Sequence, residues 1–172
     1  MDAYMITFRI IHIVSAILWV GGGVYQAAFV GPTFEAFGPE AGKFFNHMVR
    51  QRKLVTFFVT VSTLTVVAGG FLYWRDSAGL DIRWIQTGIG AGFTVGAVAG
   101  IIAWLLVLLV VRPTVYRILD LGGRIAGGGG PPSQELMTSL QGLQSRLKRF
   151  SIVITTLLLI AAVAMSTARY LF

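Results

Sequence analysis

Two histidines are the only imidazoles in this 172-residue chain, and no cysteine accompanies them. Without a thiolate there can be no disulfide, no iron–sulfur cluster, no cysteine-held metal and no CxxCH haem attachment. His12 lies inside a long apolar run, with Arg9 three residues before it. An embedded imidazole can bond a neighbouring helix's carbonyl or hydroxyl, contact haem or another tetrapyrrole, hold a soft metal ion, or pass a proton. Arg9 would sit one helical turn away on the same face, where a guanidinium suits a propionate or another anion. Tyr4 and Met5 lie near the same end, and Met165 belongs to a later run that can end close by. Imidazole together with a thioether suits Cu(I). His47 has Asn46, Met48 and Arg50 as neighbours and reads as a solvated interfacial residue.

The elements that must position these groups are four apolar runs. No charged residue falls in 10–34, 54–74, 84–111 or 151–168. Each is near or above the ~18–20 residues that cross a hydrocarbon core as a helix. Hydrophobic residues make up 55% of the chain and charged ones 12%, too few to cover a soluble domain of this size. Unbroken runs favour helices over a barrel, whose strands alternate about every second residue. The expected fold is an all-α integral membrane protein: one four-helix transmembrane bundle over 1–172, with spans at about 8–30, 54–74, 84–111 and 150–170 and helical cytoplasmic extensions. The N-terminus lacks a basic n-region and a small-residue cleavage site, so the first run is read as a retained span.

Charge orients this bundle. The loops after the first and third runs carry ten of the 14 lysines and arginines, the opposite side four. The positive-inside rule then puts both termini outside and the long loops in the cytoplasm. Arg50–Lys53 and Arg146–Arg149 abut the membrane, so the net charge of +7 points to anionic lipids at the cytoplasmic face and not to nucleic acid. On this topology His12 and His47 stand about 35 Å apart along the membrane normal, by the helical rise. One chain cannot close both imidazoles on one iron. A haem held by His12 alone, or shared between the His12 residues of two copies, is compatible with the spacing.

Polar side chains inside lipid should face the bundle interior. Arg9, His12, Ala16, Trp19, Gly23 and Gln26 recur at steps of 3 and 4 and form one such stripe. In the second run Thr56, Thr60, Thr63, Val67 and Gly70 form a matching one. Gly88, Gly92, Gly96 and Gly100 in the third make a small-xxx-small face, for packing in the bundle, for a homodimer, or for a planar ligand. Gly31-Pro32 is expected to end the first span, Arg112-Pro113 the third, and 127–132 to form a flexible break. Ser133 should cap a helix whose face Leu136, Leu140, Leu143, Leu147 and Phe150 runs on into the fourth span, packing on its neighbours or docking a membrane-protein partner. No carboxylate lies inside any run, which argues against a carboxylate proton relay or ion-coupled transport. Gly127–Gly130 lacks the Lys-Ser/Thr of a phosphate-binding loop.

The stretch His12-Ile-Val-Ser-Ala-Ile-Leu-Trp19-Val-Gly-Gly, followed by Pro32, resembles the opening of copper resistance protein D (CopD)-like membrane proteins. HemJ-type protoporphyrinogen oxidases are similar in the His-to-Trp spacing and in a tyrosine that corresponds to Tyr25. The resemblance covers about 25 residues. It implies a small helical protein of a prokaryotic plasma membrane, linked to copper or to haem and its precursors. His12 would be the metal or tetrapyrrole contact, with Arg9, Trp19 and Tyr25 beside it. HemJ-type chains continue Leu-Pro-Arg after that tyrosine, whereas this one reads Gln26-Ala27-Ala28, which puts oxidase activity in doubt. A non-catalytic membrane subunit or scaffold, binding a protein through its cytoplasmic helices, is the alternative.

Overall fold

A computed structural model describes residues 3–128, 131 and 133–170. The described chain is 93% helical and contains no strand. Four helices are long and apolar enough to cross a membrane: α1 (Ala3–Phe37), α2 (Leu54–Asp76), α3 (Gly88–Gly127) and α4 (Gln134–Tyr170). They form a ring in chain order, with α1 packed mainly on α2 and α3 mainly on α4. At its centre lie Trp19 of α1, Val61 of α2, Ala103 and Val107 of α3, and Ile154 and Leu158 of α4. The outside is apolar as well: Ile17, Leu109 and Val163 are each more than 60% exposed.

Both prolines, expected at the ends of spans, sit inside helix that continues past them. Each is preceded by a π-helical turn, Gln26–Val30 before Pro32 and Val107–Val111 before Pro113. A proline has no N–H to donate, and its ring presses on the carbonyl four residues back. Widening the preceding turn relieves that pressure, and the Gly31 and Arg112 N–H groups reach back five residues to the Gln26 and Val107 carbonyls. The following residue repairs part of the ladder in the same way twice. Thr33 Oγ1 donates to the Phe29 carbonyl at 2.7 Å, and Thr114 Oγ1 to the Val110 carbonyl at 2.6 Å.

Between α2 and α3 the chain turns at Ser77, fully buried, whose hydroxyl donates to the Trp74 carbonyl and accepts the Leu80 N–H at 3.0 Å. A separate short helix, Ile82–Ile85, follows, and α3 begins only at Gly88, after Thr87 caps it through the Gly90 N–H. A side chain at Gly90 would collide with the Trp84 carbonyl, so the turn closes here only on glycine. Tyr73 of α2 and Thr94 of α3 share a hydrogen bond of 2.6 Å near this end. Thr94 gives its own hydrogen to the Gly90 carbonyl, so the tyrosine is the donor.

At the other end, short helical segments (Gly38–Glu40, Ala41–Asn46, His47–Gln51) connect α1 to α2. Val49 among them packs on Val115 and Leu119 of α3, with Leu147 of α4 against the same cluster. Ser133 caps α4 as expected, and the 37 residues of that helix run unbroken. At 1.5 Å per residue it is about 55 Å long, well beyond a ~30 Å hydrocarbon core. Ion pairs Lys148–Glu35 (2.9 Å) and Arg50–Asp120 (3.2 Å) tie the extensions together. The expected break at 127–132 falls partly on 129, 130 and 132, outside the described residues.

Candidate functional site

The inward stripe of α1 is present: Arg9, His12, Ala16, Gly23 and Gln26 are half-buried and Trp19 is 2% exposed. The expected stripe of α2 is not. Its buried residues are Val61, Ser62, Thr65 and Ala68, while Thr56, Thr60, Val67 and Gly70 are exposed. A threonine hydroxyl can bond its own helix's carbonyl, so outward placement costs it little and its spacing does not mark the interior.

His12 meets α2 at its middle. Its Nδ1 is 2.8 Å from the Thr65 carbonyl oxygen. A carbonyl only accepts, so the neutral ring carries its proton on Nδ1 and leaves Nε2 as a lone pair. Beside it, Ser15 donates to the Ile11 carbonyl at 2.6 Å and accepts from Thr65 Oγ1 at 2.9 Å. The imidazole packs against Gly69, where a Cβ would come within 2.8 Å of Cε1 and 2.9 Å of Nδ1. Thus glycine at 69 makes the room, and the backbone carbonyl of residue 65 supplies the acceptor.

Among the described residues Nε2 has no hydrogen-bond partner, yet no half-buried or buried polar atom is sealed away unpaired. Nε2 is therefore not fully occluded. Arg9, one turn along the same face, forms no ion pair or hydrogen bond with the described residues. No family model, curated protein or solved structure matches this chain. The site is read from its own geometry.

The remaining sequence-predicted residues separate from this pair. Trp19 is enclosed by the core, its ring packed among Val61, Ala103 and Leu158. Tyr25 is 61% exposed and its ring lies against Phe29 on the outside of α1. Met165 lies over Gly96 of α3, with its Cγ at 2.6 Å from where a Cβ would stand. Gly92 and Gly96 are buried, so that part of the glycine face is used for packing, Gly96 against α4. His47 is exposed, in the segment leading into α2. Thr65 stands eleven residues into α2, about 16 Å from its start by the helical rise, so the two imidazoles stand at different levels of the bundle.

Ser15 and Thr65 did not emerge from the sequence as site residues. Ser15, three residues after His12, carries the one signal that could have found it. Thr65 becomes relevant only through the pairing of α1 with α2. No group of three or more His, Cys, Asp or Glu side chains converges among the described residues.

Proposed function

We propose that this chain is an integral membrane protein, both termini outside, in which His12 presents Nε2 to a haem or haem precursor and Arg9 meets a carboxylate of that ligand. The observation that carries this reading is the fixed Nδ1–H bond to the Thr65 carbonyl, which leaves the other nitrogen with a free lone pair that is not fully occluded. A second hydrogen bond of this kind fixes the tautomer and the ring orientation of a ligating imidazole. A tetrapyrrole brings four nitrogens of its own and asks the protein for one axial donor. A bare copper ion needs several protein donors, and the Met165 side chain lies over Gly96 of α3. When bound, a haem would supply redox or carrier chemistry at the iron. The chain's part is to orient His12 and to neutralise the carboxylate. The apolar exterior and the ten-to-four charge asymmetry support the bilayer and its orientation.

The same contacts make His12 a clamp between α1 and α2, and the two roles use different nitrogens. The alternative of a scaffold that docks a protein on the helical extensions has less support, since Leu147 of the α4 face is covered by the chain's own Val115 and Leu119.

His12→Asn separates clamp from ligand, because an amide N–H stands close to where Nδ1–H was and nothing replaces Nε2. Detergent-purified wild type should show a Soret band that shifts on dithionite reduction. His12→Asn should fold and lose the band. Copper without pigment in the wild type would move the assignment to copper. A colourless, metal-free protein after expression with haem precursor supplied would overturn the reading.

A further inference from the structure

Of the basic residues gathered at one end of the bundle, Arg50 is paired with Asp120 and Lys148 with Glu35. Arg146 and Arg149 have no such partner. They line a shallow, open groove of about 530 Å³ formed by one face of α4 alone, with Gly142, Phe150 and Val153. Residues three apart on a helix have Cβ atoms roughly 5–6 Å from each other, so both guanidiniums can reach one phosphate. Gly142 leaves the polar end of the groove open. Arg146 is steadied over the Phe150 ring, 5.9 Å from its centroid. From Gly142 to Val153 the lining changes from open to cationic to aromatic to aliphatic over about 16 Å of helix.

We infer that this groove binds one anionic glycerophospholipid, its phosphodiester between Arg146 and Arg149 and its glycerol and upper acyl chain along Phe150 and Val153. The inference rests on the membrane reading given above. That order of lining matches an amphiphile with a charged head and an apolar tail. An acidic peptide has no use for the aliphatic end, which is continuous with the exposed Ile152 and Val153 of the apolar run. A second groove, of about 280 Å³, is lined by Arg117, Asp120, Leu121, Arg124 and Leu143. It carries a carboxylate at its wall and provides a matched control.

The experiment is native mass spectrometry of the full-length protein in detergent, incubated with equimolar phosphatidylglycerol and phosphatidylcholine. Wild type should retain one phosphatidylglycerol in preference. Arg146→Gln/Arg149→Gln should lower that retention by about tenfold or more, as charged hydrogen bonds of this kind are lost. Arg117→Gln/Arg124→Gln, with the same change in charge, should retain it. Equal loss in both double variants would mean diffuse attraction to a basic surface and would overturn the site. So would equal retention of the two lipids by the wild type, or displacement of the lipid by millimolar inorganic phosphate. Circular dichroism and elution volume check that each variant folds. Should the wild type leave the membrane fraction in carbonate without detergent, the membrane reading itself fails. A protein that stays in that fraction without lipid preference sinks only the groove.

Discussion

Gly69→Ala tests the centre of the candidate site most directly. The added methyl would stand 2.8 Å from His12 Cε1 and 2.9 Å from Nδ1, closer than packed carbons come. The ring cannot slide away freely, because its Nδ1 is bonded to the Thr65 carbonyl at 2.8 Å. One methyl forced into a packed site costs roughly 1–3 kcal/mol. A hydrogen bond between helices in a bilayer adds about 0.6 kcal/mol on average if it breaks. Against this, alanine is the better helix former by ~1 kcal/mol. The balance is a net loss of about 1–2 kcal/mol. Gly70 is the internal control, since it is exposed and a Cβ there meets nothing within 4 Å. Gly70→Ala should be neutral or stabilising, so two adjacent and chemically identical substitutions should differ by roughly 2 kcal/mol or more. Unfolding of bicelle-reconstituted protein by titration with SDS, followed by far-UV circular dichroism, reads this difference. In a double-mutant cycle, His12→Ala should relieve most of the Gly69→Ala penalty, with a coupling of about 1–2 kcal/mol. Equal effects at 69 and 70, or additivity within about 0.5 kcal/mol, would refute the contact and with it the fixed imidazole.

Three further expectations follow from the same packing. Gly96→Leu should disrupt the α3–α4 interface, because its side chain would meet Met165 and the Ala161 carbonyl, whereas Gly100→Leu finds open space and should be tolerated; size-exclusion profiles and yield distinguish them. Trp104→Phe removes the Nε1–H donated to Thr63 Oγ1 at 3.1 Å and should cost about 0.5–1.5 kcal/mol in the same unfolding assay. A double-mutant cycle on Arg50 and Asp120, both exposed, should give a coupling below about 1 kcal/mol that shrinks further with salt.

The four helices were legible because a run without charge has few alternatives to burial in lipid or protein. The α1 stripe was legible too, since arginine, histidine and glutamine inside an apolar run leave one economical orientation. In α2 the same reasoning failed on threonine, which satisfies its hydroxyl locally and so carries little information about direction. Pro32 and Pro113 read as ends of spans, and the spacing did not show how the helix passes them: a wide turn followed by a threonine hydroxyl keeps each helix going. The delayed start of α3 had a local cue in Thr87, a capping residue placed just before the first glycine of the repeat. For the His12–Thr65–Ser15 contact the spacing of Ser15 from His12 was a cue on one side only. The contact depends on which helix lies beside α1 and at what height, and no spacing within one segment encodes that.

The two widened turns also explain how unusually spaced apolar residues stay on one side. Ala103, Val107, Val111, Val115 and Leu119 recur at steps of four, and all but the half-buried Val111 are buried. In an ideal α-helix each four-residue step overshoots a full circle by about 40°, so that series would drift around the cylinder by about 160° and emerge on the far side. One residue absorbed in the wide turn takes back roughly 100° of that phase. Gly22, Gln26, Val30 and Phe34 follow the same cadence through the turn in α1. The wide turn at each proline therefore acts as a phase corrector, and in α3 it lets one rod address two separate cores in succession.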